Sequence, residues 1–305
     1  MNVRQSAEVA AALASGQAVV ALESTITSKM GLPAPYNREC FDRVNAAIRV
    51  AGAVPAVTAV IDGELWAGIE PHHEALVLAA DEKLAERDLP VAIAAKRTGV
   101  TTVSATVTIA GLAGIRVFAT GGIGGVHRGA ELNFDVSSDL GAMSRHPVIV
   151  VSAGAKAFLD LPKTLEVLET LSVPVIGYQT SHFPAFWSRS SGLLIAHRAE
   201  SPAELAAMMR AARAIGWGGG MLIANPIPEA SEIPANEIAV AIEKGLAAAV
   251  AAGARGPAAT PRILAAIADA TAARSIPANL ALAESNASLA AAVAVAAAQG
   301  DVTGR

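Results

Sequence analysis

The 305-residue chain has little of what would tie it to an oxidising compartment, a nucleic acid or a bilayer. Its single cysteine, Cys40, excludes an intramolecular disulfide and a cysteine metal cage; a reducing cytoplasm fits. Aromatic residues are only 4%, so the core must be built from Ala, Val, Leu and Ile. Charged residues are 16% against 53% hydrophobic, which excludes a disordered or heavily solvated chain. A formal net charge of −4 with no long block of Lys or Arg argues against a general nucleic-acid binder and an anionic membrane partner. The most apolar runs, such as Leu246–Ala252 and Leu289–Ala298, fall short of the roughly 20 residues of a spanning helix, so no membrane span is expected. Glu8 and Gln17 interrupt the apolar N-terminal region, which reads as mature protein and not as a signal peptide.

What is present is alternation. Short β-branched runs at Gln17–Glu23, Val54–Ile61, Pro90–Ala95, Ile115–Thr120, Pro147–Ser152, Val173–Tyr178, Leu193–His197 and Met221–Ala224 read as strands, several apolar throughout as befits strands covered on both faces. Helical patterns lie between them. Asn37–Ala51 carries Phe41, Val44, Ala47 and Ile48 at helical spacing, Leu161–Leu171 has Pro162 in its first turn, and Ser201-Pro202 followed by Glu204 opens a helix to about Ile215. From Pro261 onward two Ala-rich helices are expected, broken around Arg274–Pro277. The pattern predicts an α/β fold, three-layered α/β/α, with a large mixed, mostly parallel central sheet. No linker demands a boundary. The Gly/Ala surroundings of Pro257 read as a loop, so residues 1–305 are expected to form a single domain.

Open α/β sheets bind ligands beyond the carboxyl ends of their strands, and four such ends carry chemistry. Glu23 follows an apolar strand and precedes Ser24 and Thr25; buried, it would be a general acid or base, whereas a loop or cap carboxylate is the plainer reading. Thr120-Gly121-Gly122-Ile123-Gly124-Gly125-Val126-His127-Arg128-Gly129 is neither a Walker loop nor a good dinucleotide fingerprint. Its glycines allow positive φ and close backbone approach to an anion, with His127 and Arg128 as further donors; a structural turn is the alternative. Asp135 and Asp139, with Ser137 and Ser138 between them, suit either a hard cation held through oxygen or the N-cap of a short helix from about Leu140. Lys156 stands just past an apolar strand. A desolvated lysine there can form a Schiff base with an aldehyde or ketone; a solvent-facing loop lysine is the alternative. Asn225 either meets a ligand or shapes a turn. His182, Trp187 and Arg189 line a pocket or an interface. His72, His73 and His146 read as solvated, and Cys40 as a small core residue.

These pieces, in this order, resemble the pseudouridine-5′-phosphate glycosidase (pseudouridylate synthase) family. The resemblance rests on Ala21–Ile26, Arg87–Pro90, Thr101–Val103, Phe118–Glu131, Ser152–Lys156, Pro174–Thr180 and Ala224–Glu229, and spans about residues 8 to 295. It implies reversible cleavage of the C–C glycosidic bond of pseudouridine 5′-phosphate to uracil and ribose 5-phosphate. Lys156 would be the Schiff-base nucleophile and Glu23 the proton donor. Asp135 would be the ligand of a divalent metal, usually Mn²⁺. Lys83, Val103, Ser137, Ser138 and Asp139 would bind substrate, Lys83 on the phosphate and Val103 through its backbone, with His127 and Asn279 also on the pocket. Lys96 rivals Lys83. The resemblance further implies a homotrimer. Three departures stand out: Lys29 where histidine is usual, a less basic run after Lys83, and Glu284-Ser285-Asn286 in place of paired asparagines. They leave room for another Schiff-base lyase or C-glycosidase acting on a related sugar phosphate. A sugar-phosphate-binding protein without activity would need neither Glu23 nor Lys156.

Overall fold

The computed structural model describes residues 3–253, 259–271 and 273–302; Pro257 and its surroundings lie outside them. Eleven strands form one sheet: β1 (Arg4–Gln5), β2 (Val19–Leu22), β3 (Val54–Ile61), β4 (Glu64–Ala67), β5 (Lys83–Leu84), β6 (Gly99–Thr101), β7 (Val117–Ala119), β8 (Ile149–Ser152), β9 (Val175–Tyr178), β10 (His197–Ala199) and β11 (Met221–Ala224). The helices are α1 (Ala7–Ser15), α2 (Tyr36–Val50), α3 (Glu74–Leu78), α4 (Leu89–Ala94), α5 (Val103–Ala113), α6 (Ala130–Asn133), α7 (Ser138–Arg145), α8 (Leu161–Thr170), α9 (Pro202–Ala214), α10 (Ala235–Ala251), α11 (Ala259–Ala270) and α12 (Ser275–Val302).

The strand order is β1-β4-β3-β2-β7-β8-β11-β9-β10, with β6 also on β3 and β5 on β6. Pairing is parallel from β3 through β2, β7, β8, β11 and β9 to β10, and antiparallel where β3 meets β4 and β6. The sheet is therefore mixed and mostly parallel, with helices on both sides. All eight residues of β3 and all four of β2 and of β8 are buried, which is why these strands are apolar throughout. α12 packs on β2, β7 and β8 with α2 and α9 beside it, while α5 and α7 pair together elsewhere on the sheet.

Local chemistry sets the helix ends. Ser6, Asp160 and Ser201 accept from the third residue after them, at the starts of α1, α8 and α9. Gly16 closes α1 at φ +73°, a conformation that favours glycine.

Two expected strands are corrected. Pro90–Ala95 is helical, in α4, because Pro90 stands in a first turn where its missing N–H costs nothing. Leu193–His197 is irregular, and the strand β10 begins only at His197. The last apolar stretch is longer than the sequence runs suggested. α12 is a single 28-residue helix, and Ser275–Gly300 is long and apolar enough to cross a membrane by length and composition. In the fold it is a core helix: Leu282, Ala287, Ala290, Ala291 and Val293 are all buried. Cys40 is buried in α2, as expected, and burial pushes its thiol up to about 12.

Candidate active site

The carboxyl ends of β2, β7 and β8 fall on one edge of the sheet, and a cavity of about 230 Å³ opens there. Glu23 follows β2, the glycine run follows β7 and Lys156 lies four residues beyond β8. Glu23, Lys83, Val103, His127, Asp135, Ser137, Ser138, Asp139, Lys156 and Asn279 all line the cavity. Residues from seven separate stretches of sequence thus meet at one place. Lys96 does not: it is exposed at the end of α4, so Lys83 is the cavity lysine of the two.

Glu23 is buried, and its burial pushes its pKa up to about 6, against the opposing pull of the Lys156 ammonium and the Thr120 hydroxyl. Thr120 donates to Glu23 Oε1 and is itself fixed from behind. The Asn286 side-chain amide donates to Thr120 O at 2.8 Å and Gly121 O at 3.2 Å, and accepts from Asn225 Nδ2 at 2.9 Å. Asn225 therefore braces the site and is absent from the cavity wall.

The Lys156 segment is tied to the glycine run. Ile123 N donates to Gly154 O at 3.0 Å and Lys156 N to Ile123 O at 3.1 Å. Gly154, at φ +79°, makes the turn where a Cβ would stand 2.5 Å from Pro184 O. Within the run, the glycines from 121 to 125 serve close approach and not positive φ: a Cβ on Gly122 would meet Phe186, one on Gly124 would meet Ser137, and only Gly129 has φ above zero. Arg128 pairs with Glu243 away from the cavity, so of the two expected donors only His127 lines it.

Asp139 settles one alternative. Its carboxylate accepts from Ser104 N at 2.9 Å and Gly124 N at 2.8 Å, locking the start of α5 to the glycine run. Ser137, not an aspartate, caps α7 by accepting from Asp139 N. Asp135 is half-buried with Oδ2 3.9 Å from His127 Nδ1. Among the described residues no group of three or more His, Cys, Asp or Glu could hold a metal. Burial lowers the pKa of His127, with Lys156 adding to the effect and Asp135 opposing it. Burial and the Lys156 charge likewise lower that of Lys83, while Glu23 and Asp139 oppose. Asn279, in the first turns of α12, accepts from Trp187 Nε1 at 2.7 Å.

Other expectations change. Trp187 is fully buried, and neither it, His182 nor Arg189 lines the cavity. His73 packs edge-on to Trp66, and His146 Nε2 lies 3.3 Å from Glu86, so only His72 of the three is well exposed. Sequence reasoning gave no role to Thr120 or Phe186, and met Asn286 only within the Glu284-Ser285-Asn286 departure. Of these, only Thr120 carried a signal, as the hydroxyl at the end of a strand beside that of Glu23.

The model of the Indigoidine synthase A like protein family matches residues 8–296. The chain belongs to this family. Its relatives include proteins called pseudouridine-5′-phosphate glycosidase from Methylobacterium nodulans, 53% identical over 95% of this chain and 86% of that protein, and from Paracoccus denitrificans, 51% identical over 95% and 97%. Two solved structures share the indigoidine synthase A-like fold. One is the prealnumycin C-glycosynthase AlnA in complex with ribulose 5-phosphate, at TM-score 0.91 and 33% identity over 99% of both chains. The other is the indigoidine synthase A-like protein of Thermotoga maritima, at TM-score 0.86 and 34% identity over 97% of this chain and 96% of that one.

Proposed function

We propose that this member of the family reversibly cleaves the C–C glycosidic bond of pseudouridine 5′-phosphate, yielding uracil and ribose 5-phosphate. The observation that carries the reading is the convergence of a buried carboxyl, Glu23, and a lysine, Lys156, on one cavity. The names of relatives about half identical to it support the substrate.

The bond to be broken joins C1′ of the ribose to C5 of uracil, and neither atom is a ready leaving group. In the proposed sequence the Lys156 amine forms a C–N bond at C1′ as the ring C1′–O4′ bond breaks, with a proton passing to O4′. The nitrogen lone pair then forms an iminium as the C1′–C5 bond breaks. The departing electron pair takes a proton at uracil C5 from Glu23. Water hydrolyses the iminium to the aldehyde of ribose 5-phosphate and restores the amine. Every step is a proton or electron-pair movement, so no oxidant or reductant is required. A carboxyl with its pKa near 6 holds its proton better than an ordinary glutamate and still releases it near neutrality.

Lys83, the Val103 backbone at the start of α5, and Ser137 and Ser138 at the start of α7 form the proposed phosphate end, where helix N-termini favour an anion. Asp139 supports that end by its two backbone bonds. His127 and Asn279 complete the wall. Asp135 would hold Mn²⁺. One half-buried carboxylate on an oxygen-rich wall fits a hard cation that keeps most of its water. Such an ion would offset negative charge on the substrate. The reading includes a homotrimer in the cytoplasm, the assembly to be checked by analytical ultracentrifugation.

Incubation with ribose 5-phosphate and borohydride, followed by peptide mapping, tests the proposal. A reduced adduct on the Lys156 peptide is expected. Lys156→Ala should show no adduct and turnover reduced by far more than tenfold, which is a barrier change of about 1.4 kcal/mol. Activity within tenfold of the parent would remove Lys156 from the mechanism. Chelation should lower activity and Mn²⁺ restore it; an indifferent enzyme would make Asp135 a direct substrate ligand.

The likeness to AlnA, a C-glycosynthase seen with ribulose 5-phosphate, favours one second reading: C-glycoside formation between a related sugar phosphate and another ring carbon. Product analysis on pseudouridine 5′-phosphate separates the two, since only the first releases uracil.

A further inference from the structure

A second cavity, of about 450 Å³, lies at the opposite edge of the sheet. Its floor is the amino ends of β2, β7, β8 and β11, at Val19, Val117, Ile149 and Met221. These are the strands whose other ends carry the site described above. Its size falls in the ~300–1,000 Å³ range of small-molecule sites.

Two features of the wall define what it would take. Arg116 and Arg210 line it beside Arg213, which is already engaged with a group of its own, and no Asp or Glu among the described residues lines it, although the chain is acidic overall. Arg213 also suits the last turn of α9, where a cation favours the helix dipole. That account does not extend to Arg116, which lies on a different element just before β7. Arg210 is seated: its guanidinium lies where a Cβ on Gly300 would come within 2.5 Å.

The second feature is a flat apolar face. Trp217 lines the cavity, 37% exposed, in a loop fixed by its N–H on Ala212 O at 2.9 Å. Gly219 leaves room for the indole, since a Cβ there would stand 3.0 Å from Trp217 Nε1. Met209 and Met221 supply adaptable apolar surface nearby. Guanidinium groups match phosphate or carboxylate oxygens, and an exposed indole stacks a planar ring.

We propose that this cavity is a second binding site, for a small anion that carries a flat ring, of the size of a nucleoside monophosphate. The site is independent of the reaction proposed above.

The test uses the full chain labelled with 5-fluorotryptophan, with ribose 5-phosphate present in excess to fill the first cavity, and uridine 5′-monophosphate as the probe. The ¹⁹F resonance missing from Trp217→Phe identifies Trp217. That resonance should shift saturably with a Kd below about 1 mM, while those of Trp66 and Trp187 stay in place. Uridine and inorganic phosphate, each lacking half of the probe, should bind at least about fivefold more weakly. Arg116→Ala and Arg210→Ala should each weaken the nucleotide by at least about tenfold, the scale of one charged hydrogen bond, with unchanged Trp66 and Trp187 resonances reporting an intact fold. A Trp217 resonance that does not move would overturn the proposal. So would a shift seen only without ribose 5-phosphate, or one unaffected by both arginine variants.

Discussion

At the scale of single residues, the proposed chemistry turns on how Glu23 is kept. Its folded pKa of about 6 stands above the 4.5 of an unperturbed glutamate, so between those values the folded chain holds a proton that the unfolded chain has lost. Stability is therefore fully present below about 4.5 and falls as pH rises through about 6, by about 2 kcal/mol in all. Glu23→Gln, which cannot ionise, should escape that loss. Denaturant unfolding at pH 4 and pH 7.5 should show the variant gaining on the parent by about that amount at the higher pH. The same variant should still trap ribose 5-phosphate but not release uracil, while the parent's cleavage rate declines above pH 6. A parallel pH dependence in the two proteins would mean that the carboxyl is not desolvated as described. Glu23 and Lys156 were legible because each is a titratable group placed just past an apolar strand. Asp139 was legible only as a choice among roles. Its actual work, accepting from Ser104 and Gly124, depends on a contact between residues 35 and 15 positions away in sequence.

At the scale of elements, α12 connects the back of the molecule to the site. Its Asn286 is fully buried and joins the carbonyls of Thr120 and Gly121 to Asn225. The resemblance singled out the Glu284-Ser285-Asn286 stretch, but no local pattern told Asn286 from a helix-surface asparagine, because its partners arrive from β7 and β11. Asn286→Leu keeps the volume but leaves the buried Thr120 carbonyl without its donor, at a cost of about 1–3 kcal/mol, while Gly121 O keeps its bond from Ala153 N. It should lower stability, and by loosening the Thr120 contact to Glu23 it should lower kcat more than it raises KM. A variant that loses stability alone would confine Asn286 to packing. Elements were readable where they were long or capped, as with α2, α8 and α9. They were unreadable where they were short. β5 has two residues and β6 three, too few for any period, and they exist only because β3 offers an edge where β2 has ended. The error at Pro90–Ala95 has the same origin: six apolar residues fit either period, and only Pro90 in the first turn decides between them.

At the scale of the whole molecule, the α/β/α arrangement was legible from alternation alone, whereas the role of the last helix was not. By composition α12 suits a bilayer; in the fold it lies on three central strands between α2 and α9. That placement makes α12 part of the same core as the first strands, and it predicts one cooperative unfolding event. Two tryptophans report on distant parts of the sheet. Trp66 stands on β4, next to the edge strand β1, and Trp187 donates to Asn279 of α12. In chains that keep only Trp66 or only Trp187, the fluorescence midpoints in urea should coincide with each other and with loss of helix by circular dichroism. If α12 were instead a peripheral or membrane-seeking segment, the Trp187 transition would come first, because its hydrogen-bond partner leaves with that helix, and Trp66 would report a later and separate event.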